Sequence, residues 1–98
     1  MSKYILSKST RKDKKYMVKT PNNKTIHFGA KGYSDFTKHK DVSRRNRYDA
    51  RHKVNQDWTK KGINSAGFWA KWILWHKPTI NESIDATEKR FVIKIIKK

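Results

Sequence analysis

Apolar and polar positions alternate through the first third of the chain, then change period. In "KKYMVKT", Tyr16 and Val18 alternate with Met17 and Lys19; in "KTIHF", Ile26 and Phe28 alternate with Thr25 and His27. Period-2 patterning in short runs of β-formers predicts strands with one buried face. "KYIL", near the start, predicts a third. Between the later two, Pro21 is followed by two asparagines, which tolerate left-handed backbone, so a tight hairpin is expected. The charged run "STRKDKK" forms the preceding turn, and the three strands make an antiparallel meander.

"FGAKGYSDF" breaks this pattern, and Gly29 and Gly32 predict a loop. Asp41 is a helix N-cap residue, and Val42 to about Val54 has helical composition with a thin apolar face of Val42, Tyr48, Ala50 and Val54. "TKKGIN" is a second loop. Ser65 caps a second helix from Ala66 to about His76, ended by Pro78, because the residue before proline disfavours helix. Thr79 with Glu82 three residues on is a capping box that opens a third helix, with Ile80, Ile84 and Ala86 or Thr87 as its apolar face. "RFVIKIIKK" returns to alternation and predicts a terminal strand. There is no internal repeat or low-complexity tract. The expected fold class is α+β: one domain over residues 1–98, with an antiparallel sheet of three to four strands covered by two to three helices.

The second helix raises a question of its own. Phe68, Trp69, Trp72, Ile73, Leu74 and Trp75 occupy nearly every side of a helical wheel. A helix apolar all round is usually buried, so these rings are expected in the core. A base-stacking platform is the functional alternative. Membrane insertion fits least, since a surface-lying helix needs a polar face and Lys71 stands nearly alone there.

Charge then changes the picture. The 98 residues carry 25 Lys and Arg against 8 Asp and Glu, a net charge of +17. Self-repulsion on that scale destabilises a compact chain and calls for a polyanionic partner. Nucleic acid is the first candidate; an anionic membrane surface and simple solubility are the rivals. Between Lys38 and Lys61 nine Lys and Arg face three Asp, a local net of +6. Arg44, Arg47 and Arg51, at i, i+3 and i+7, form one stripe of the first helix, flanked by Arg45, and Lys53 is a further basic residue of that helix. The planar guanidinium suits phosphate oxygens. Lys38, Lys40, Lys31 and the basic turn of Arg11, Lys12, Lys14 and Lys15 are expected to add phosphate contacts. A solvated helix face is the ordinary alternative, weakened by the near-absence of acidic residues there.

Several chemistries drop out. There is no cysteine, so disulfides, thiolate metal sites and cysteine nucleophiles are excluded. The four histidines show no H-x₃₋₅-H spacing, and no metal or other cofactor is expected. "GAKG" lacks the spacing of a phosphate-binding Walker loop and reads as a strand-ending turn. His39, Asn46 and His52 resemble a metal-dependent nuclease set only loosely, and Asp35 with Glu88 and Lys89 is no better supported. The expectation is a non-enzyme. The N-terminus has a three-residue apolar run, too short for a secretory signal, and no stretch is long enough to span a membrane.

Long motifs add a resemblance. "FGAKGYSDFTKHKD" fits F-G-x-x-x-Y-x-D-[YF]-T-x-H-K-D, "RRNRYDARH" fits R-R-x-R-Y-x-x-R-H, and "AGFWAKWILWHKPT" fits A-G-F-W-[SA]-x-W-[IL]-L-W-x-K-P-[ST]. Together they resemble a family of small basic proteins of unknown function from nucleocytoplasmic large DNA (giant) viruses. The resemblance spans roughly residues 4 to 96; serine or arginine is common in that family where Ala70 or Lys71 stands here. It carries no activity. It implies a virus-encoded protein of the virion or of the virus factory in the host cytoplasm. The expected function is therefore sequence-independent binding of nucleic acid, DNA before RNA, for genome condensation or packaging. The alternatives are a minor capsid or core protein binding acidic viral structural proteins and, less favoured, a small metal-dependent nuclease.

Overall fold

The computed structural model describes residues 2–98. The chain begins with three strands, β1 (Lys3–Lys8), β2 (Lys14–Lys19) and β3 (Thr25–Ala30), paired antiparallel as the alternation predicts. The β2–β3 hairpin closes at Thr20–Lys24, where Asn23 takes a φ of 64° and the Thr20 N–H donates to Lys24 O at 2.8 Å. Asparagine's tolerance of left-handed backbone is what the turn requires. Tyr4, Leu6, Val18 and Phe28 point to one face and are buried.

The helical half is α1 (Phe36–His39), α2 (Val42–His52), α3 (Ala66–Trp69) and α4 (Ile80–Phe91), with a 3₁₀ turn at Lys60–Gly62. The expected caps form. Asp41 accepts from the N–H groups of Ser43 and Arg44, Ser65 from Phe68, and Thr79 from Glu82. Each satisfies amide groups that the first turn of a helix leaves unpaired. α1 was not expected. Its cap, Asp35, sits inside the stretch that reads as a loop, and four residues are too few to show a helical period. The tryptophan segment also differs from a regular helix. After Trp69 it widens into a π turn over Ala70–Leu74, so the rings are distributed by i→i+5 rather than i→i+4 spacing.

The C-terminal strand corrects two expectations. Helix α4 continues through Phe91, and Val92 stops it in a left-handed conformation (φ 54°). The strand, β4, therefore begins at Lys94 and runs to Lys97. It pairs with β1 in parallel, making the sheet mixed, in the order β3-β2-β1-β4. A hairpin turn dictates antiparallel pairing, but β4 arrives from a crossover helix, and such connections deliver parallel strands. The Glu88 carboxylate on α4 anchors the junction by accepting from the Ile95 N–H at 2.8 Å.

Phe68, Trp69, Trp72, Ile73 and Leu74 are all buried against the sheet and α4. The core reading of this segment holds for Trp69 and Trp72; Trp75 is half-buried at its edge. Both deep indoles keep a partner for their N–H: Trp69 Nε1 donates to Ile63 O at 2.7 Å and Trp72 Nε1 to Trp58 O at 3.0 Å. Buried tryptophan is tolerated on that condition. None of the described helices is long and apolar enough to cross a membrane.

Candidate functional site

Helix α2 presents the arginine stripe. Asp41 fixes its start, and the buried Tyr48 fixes its roll: the ring lies flat on Trp75, centroids 4.2 Å apart and planes 5° from parallel. His52 stacks on the same tyrosine, with centroids 4.2 Å apart. Asp49, one residue on, accepts from Lys71 Nζ with both oxygens at 2.9 Å. With these inward contacts made, Arg44, Arg47 and Arg51 face solvent, and none has a side-chain hydrogen bond or ion pair to a described residue. Lys53, at the C-cap, is exposed as well.

Arg45 differs from its neighbours. It is half-buried, its guanidinium lies 5.0 Å from the Phe36 ring centroid, and Nη1 donates to His76 O at 3.3 Å. Its cation packs α2 against α1 and the end of the tryptophan segment, so it belongs to the scaffold more than to the exposed stripe. Lys15 departs from expectation more sharply. Its Nζ is 2.6 Å from Asp35 Oδ2, and both side chains are almost covered, at 10% and 3% exposure. Asp35 also accepts from the Thr37 backbone N–H and hydroxyl. A carboxylate buried that deeply must be paired and hydrogen-bonded, and Lys15 is its counter-ion. Arg11 is exposed but bridges to Asp13 at 3.3 Å, and Lys40 Nζ donates to Thr37 O at 2.9 Å. Lys12, Lys31 and Lys38 are exposed without such a contact, and Lys14 is half-exposed.

Two recesses lie on either side of the Lys15–Asp35 pair, which lines both. One, of about 270 Å³, is edged by Lys8, Lys14, Lys31 and Lys38. The other, of about 410 Å³, has Tyr48, Ala70, Leu74 and Trp75 among its walls, with Arg44 and Arg51 at its edge. Together they form a concave face: the first recess is lysine-rich, and the second is the more apolar, with cations at its edge. Gly29 belongs to the second. Its φ is +80°, and a Cβ there would lie 2.7 Å from Leu74 Cδ1 and 3.3 Å from Lys15 Cβ. Only glycine combines that backbone with so close a neighbour.

The titratable groups of this region are held in their neutral forms. Burial, followed by the charge of Arg44, lowers the His39 pKa; burial and Arg51 lower that of His52. His76 is pushed down to about 4 by burial and by Lys77, Lys71, Arg45 and Arg90 around it. Burial pushes the Tyr48 phenol up to about 12, so it stays protonated. The candidate nuclease histidines are taken up locally: His39 Nδ1 accepts from the Asp41 N–H, and His52 packs on Tyr48. No group of three His, Asp or Glu able to hold a metal occurs among the described residues.

Sequence reasoning found the arginine stripe and held stacking open as the alternative for the tryptophans, Trp75 among them, but missed Tyr33 and Leu74 as groove residues. Tyr33, 73% exposed beside Gly32, carried a signal as an aromatic ring in a glycine-rich turn.

Residues 4–52 match a family of unknown function, DUF5754. The match takes in the sheet meander, α1 and α2, and therefore most of the concave face, while the tryptophan segment lies beyond it. The chain belongs to this family. No curated protein and no solved structure matches it.

Proposed function

We propose that the protein is a non-enzymatic, sequence-independent DNA-binding protein that contacts phosphates through α2 and the neighbouring basic turns. The observation that carries this reading is the stripe of Arg44, Arg47 and Arg51: three guanidinium groups on one helix face, exposed and unpaired with any described residue, on a chain of net charge +17. Phosphate contacts of this type supply sequence-independent affinity through counter-ion release. Lys31 and Lys38, on the rim of the neighbouring recess, and Lys53, at the C-cap of α2, are further exposed cations. The resemblance to small basic proteins of giant viruses sets the context: a role in condensing or packaging a viral genome, in the virion or in the virus factory of the host cytoplasm. DNA is favoured over RNA on that context.

The test is binding to duplex DNA, single-stranded DNA and RNA of matched length, each across a salt series. Affinity that falls steeply with salt supports the proposal. Tight binding to an acidic viral structural protein, with none to nucleic acid, would select the minor capsid or core role instead.

A further inference from the structure

Tyr33 is the most exposed aromatic ring on the concave face, yet it sits on a pinned turn. Its N–H donates to Ala30 O at 3.4 Å, and Gly32, at φ +92°, provides the left-handed corner that a type II turn needs. The Lys31 N–H donates to Asp13 O at 3.0 Å and ties the turn to the β1–β2 connection. A large apolar ring held in water by an ordered turn has a low entropy of ordering left to lose when it meets a ligand.

The surroundings define that ligand. Tyr33 borders the recess of about 410 Å³ that Leu74 and Trp75 line and that Arg44 and Arg51 edge. That volume is within the roughly 300–1,000 Å³ of small-molecule sites. Its interior suits a flat, uncharged π system, and its rim suits an anion. A nucleotide joins these two chemistries, base inside and phosphate outside. A duplex does not present them this way, because its bases are stacked within the helix and only phosphates reach the rim. A single strand does, since its unstacked bases are free to lie on aromatic side chains while basic residues track the backbone. The lysine-edged recess, which shares the Lys15–Asp35 pair with this one, supplies further cations beside it.

We propose that the groove between α2 and the Tyr33 turn takes unstacked bases of single-stranded nucleic acid, with Tyr33 as the stacking surface and Arg44 and Arg51 holding the flanking phosphates. This rests on the nucleic-acid reading above and narrows it to the strand form that this site recognises.

The test is fluorescence anisotropy with three labelled probes: oligothymidylate of about 20 nucleotides, longer than the roughly 4–16 that a small single-strand site covers; the same backbone with its bases removed; and a duplex of the same length. Native protein should bind oligothymidylate roughly 5- to 150-fold more tightly than the abasic strand, the range that stacking of one base confers. Tyr33→Ala should reduce oligothymidylate binding to the abasic level, and Tyr33→Phe should retain the native preference. Because Tyr33 is exposed, its circular dichroism and melting should be unchanged. Salt-dependent binding that is equal for thymidine and abasic strands, or unaffected by Tyr33→Ala, overturns the inference and leaves phosphate binding standing. Binding to none of the three probes overturns the phosphate reading itself, and the inference with it.

Discussion

Lys71 Nζ sits 2.9 Å from each carboxylate oxygen of Asp49, joining the π turn of the tryptophan segment to the helix that carries the arginine stripe. The lysine side chain is 9% exposed and the aspartate 29%. The ammonium group also lies 5.0 Å from the Trp58 ring centroid and 5.3 Å from that of Trp72. One ion pair and two cation–π contacts thus hold a cation inside a protein already overloaded with positive charge.

Asp49→Ala leaves that ammonium buried without its carboxylate. Breaking a buried pair from one side costs roughly 3–5 kcal/mol, and the partial exposure of Asp49 places this case near the lower end. A urea titration followed by tryptophan fluorescence should show a lower midpoint. Lys71→Met, which removes the charge and keeps the apolar stem, should be milder. Native-like midpoints in both variants would mean that the pair itself contributes little.

How much of this was legible in the sequence depends on distance along the chain. The meander, the caps at Asp41, Ser65 and Thr79, and the buried face of the tryptophan segment rest on neighbours within a few residues, and all form. The direction of β4 rests on where a crossover helix delivers the chain. The pairings Lys71–Asp49 and Lys15–Asp35 join residues 22 and 20 positions apart, and only the tertiary fold brings them together. In a chain with 25 basic residues, no pattern marks which of them will be spent on a buried carboxylate. The exposed cations of α2 were legible from helical spacing, while the groove they edge was not, because its walls come from four separate segments.

Trp72→Ala should strongly destabilise the folded state. The ring is 6% exposed, packs edge-on to Phe91 with centroids 5.4 Å apart, and carries the Arg90 guanidinium 4.7 Å from its centroid. Removing a buried tryptophan costs roughly 3–5 kcal/mol. That is a large share of the roughly 5–15 kcal/mol that keeps a small domain folded. A large drop in the melting temperature, tracked by near-ultraviolet dichroism, is the expected outcome. Arg47→Ala, on the exposed stripe, should melt like the native protein.

Gly29→Ala tests the close approach of β3 to the tryptophan segment. The substitution meets both the positive φ and Leu74 Cδ1 at 2.7 Å. Backbone strain of this kind costs on the order of 1–3 kcal/mol, and displacing Leu74 adds to it. Thermal unfolding should shift down by several degrees. Gly32→Ala has open space around its Cβ and only the strained φ against it, so it should be the milder of the two.

Stability should fall on acidification below neutrality. His39, His52 and His76 all have folded-state pKa values below the ordinary 6.5, His76 at about 4. Between these values the unfolded chain binds more protons than the folded one, so stability is full above about pH 6.5 and declines as pH drops toward 4. Urea midpoints measured from pH 7.5 to pH 4 should decrease through this window. His76→Gln should flatten the decline, and an unchanged slope in that variant would remove His76 as its main source.

The most direct test of phosphate binding by the α2 stripe is the salt dependence of affinity for single-stranded and duplex DNA, measured for the native protein and for the combined Arg44→Ala, Arg47→Ala, Arg51→Ala variant. If six to ten phosphates are engaged, native affinity should drop roughly 10³- to 10⁵-fold between 50 and 200 mM salt. For duplex DNA the slope of log affinity against log salt should shrink by roughly 0.9 for each phosphate contact the variant loses, with its fold intact. Native binding that is flat with salt, or a slope unchanged by removing all three arginines, contradicts the proposed role of the stripe.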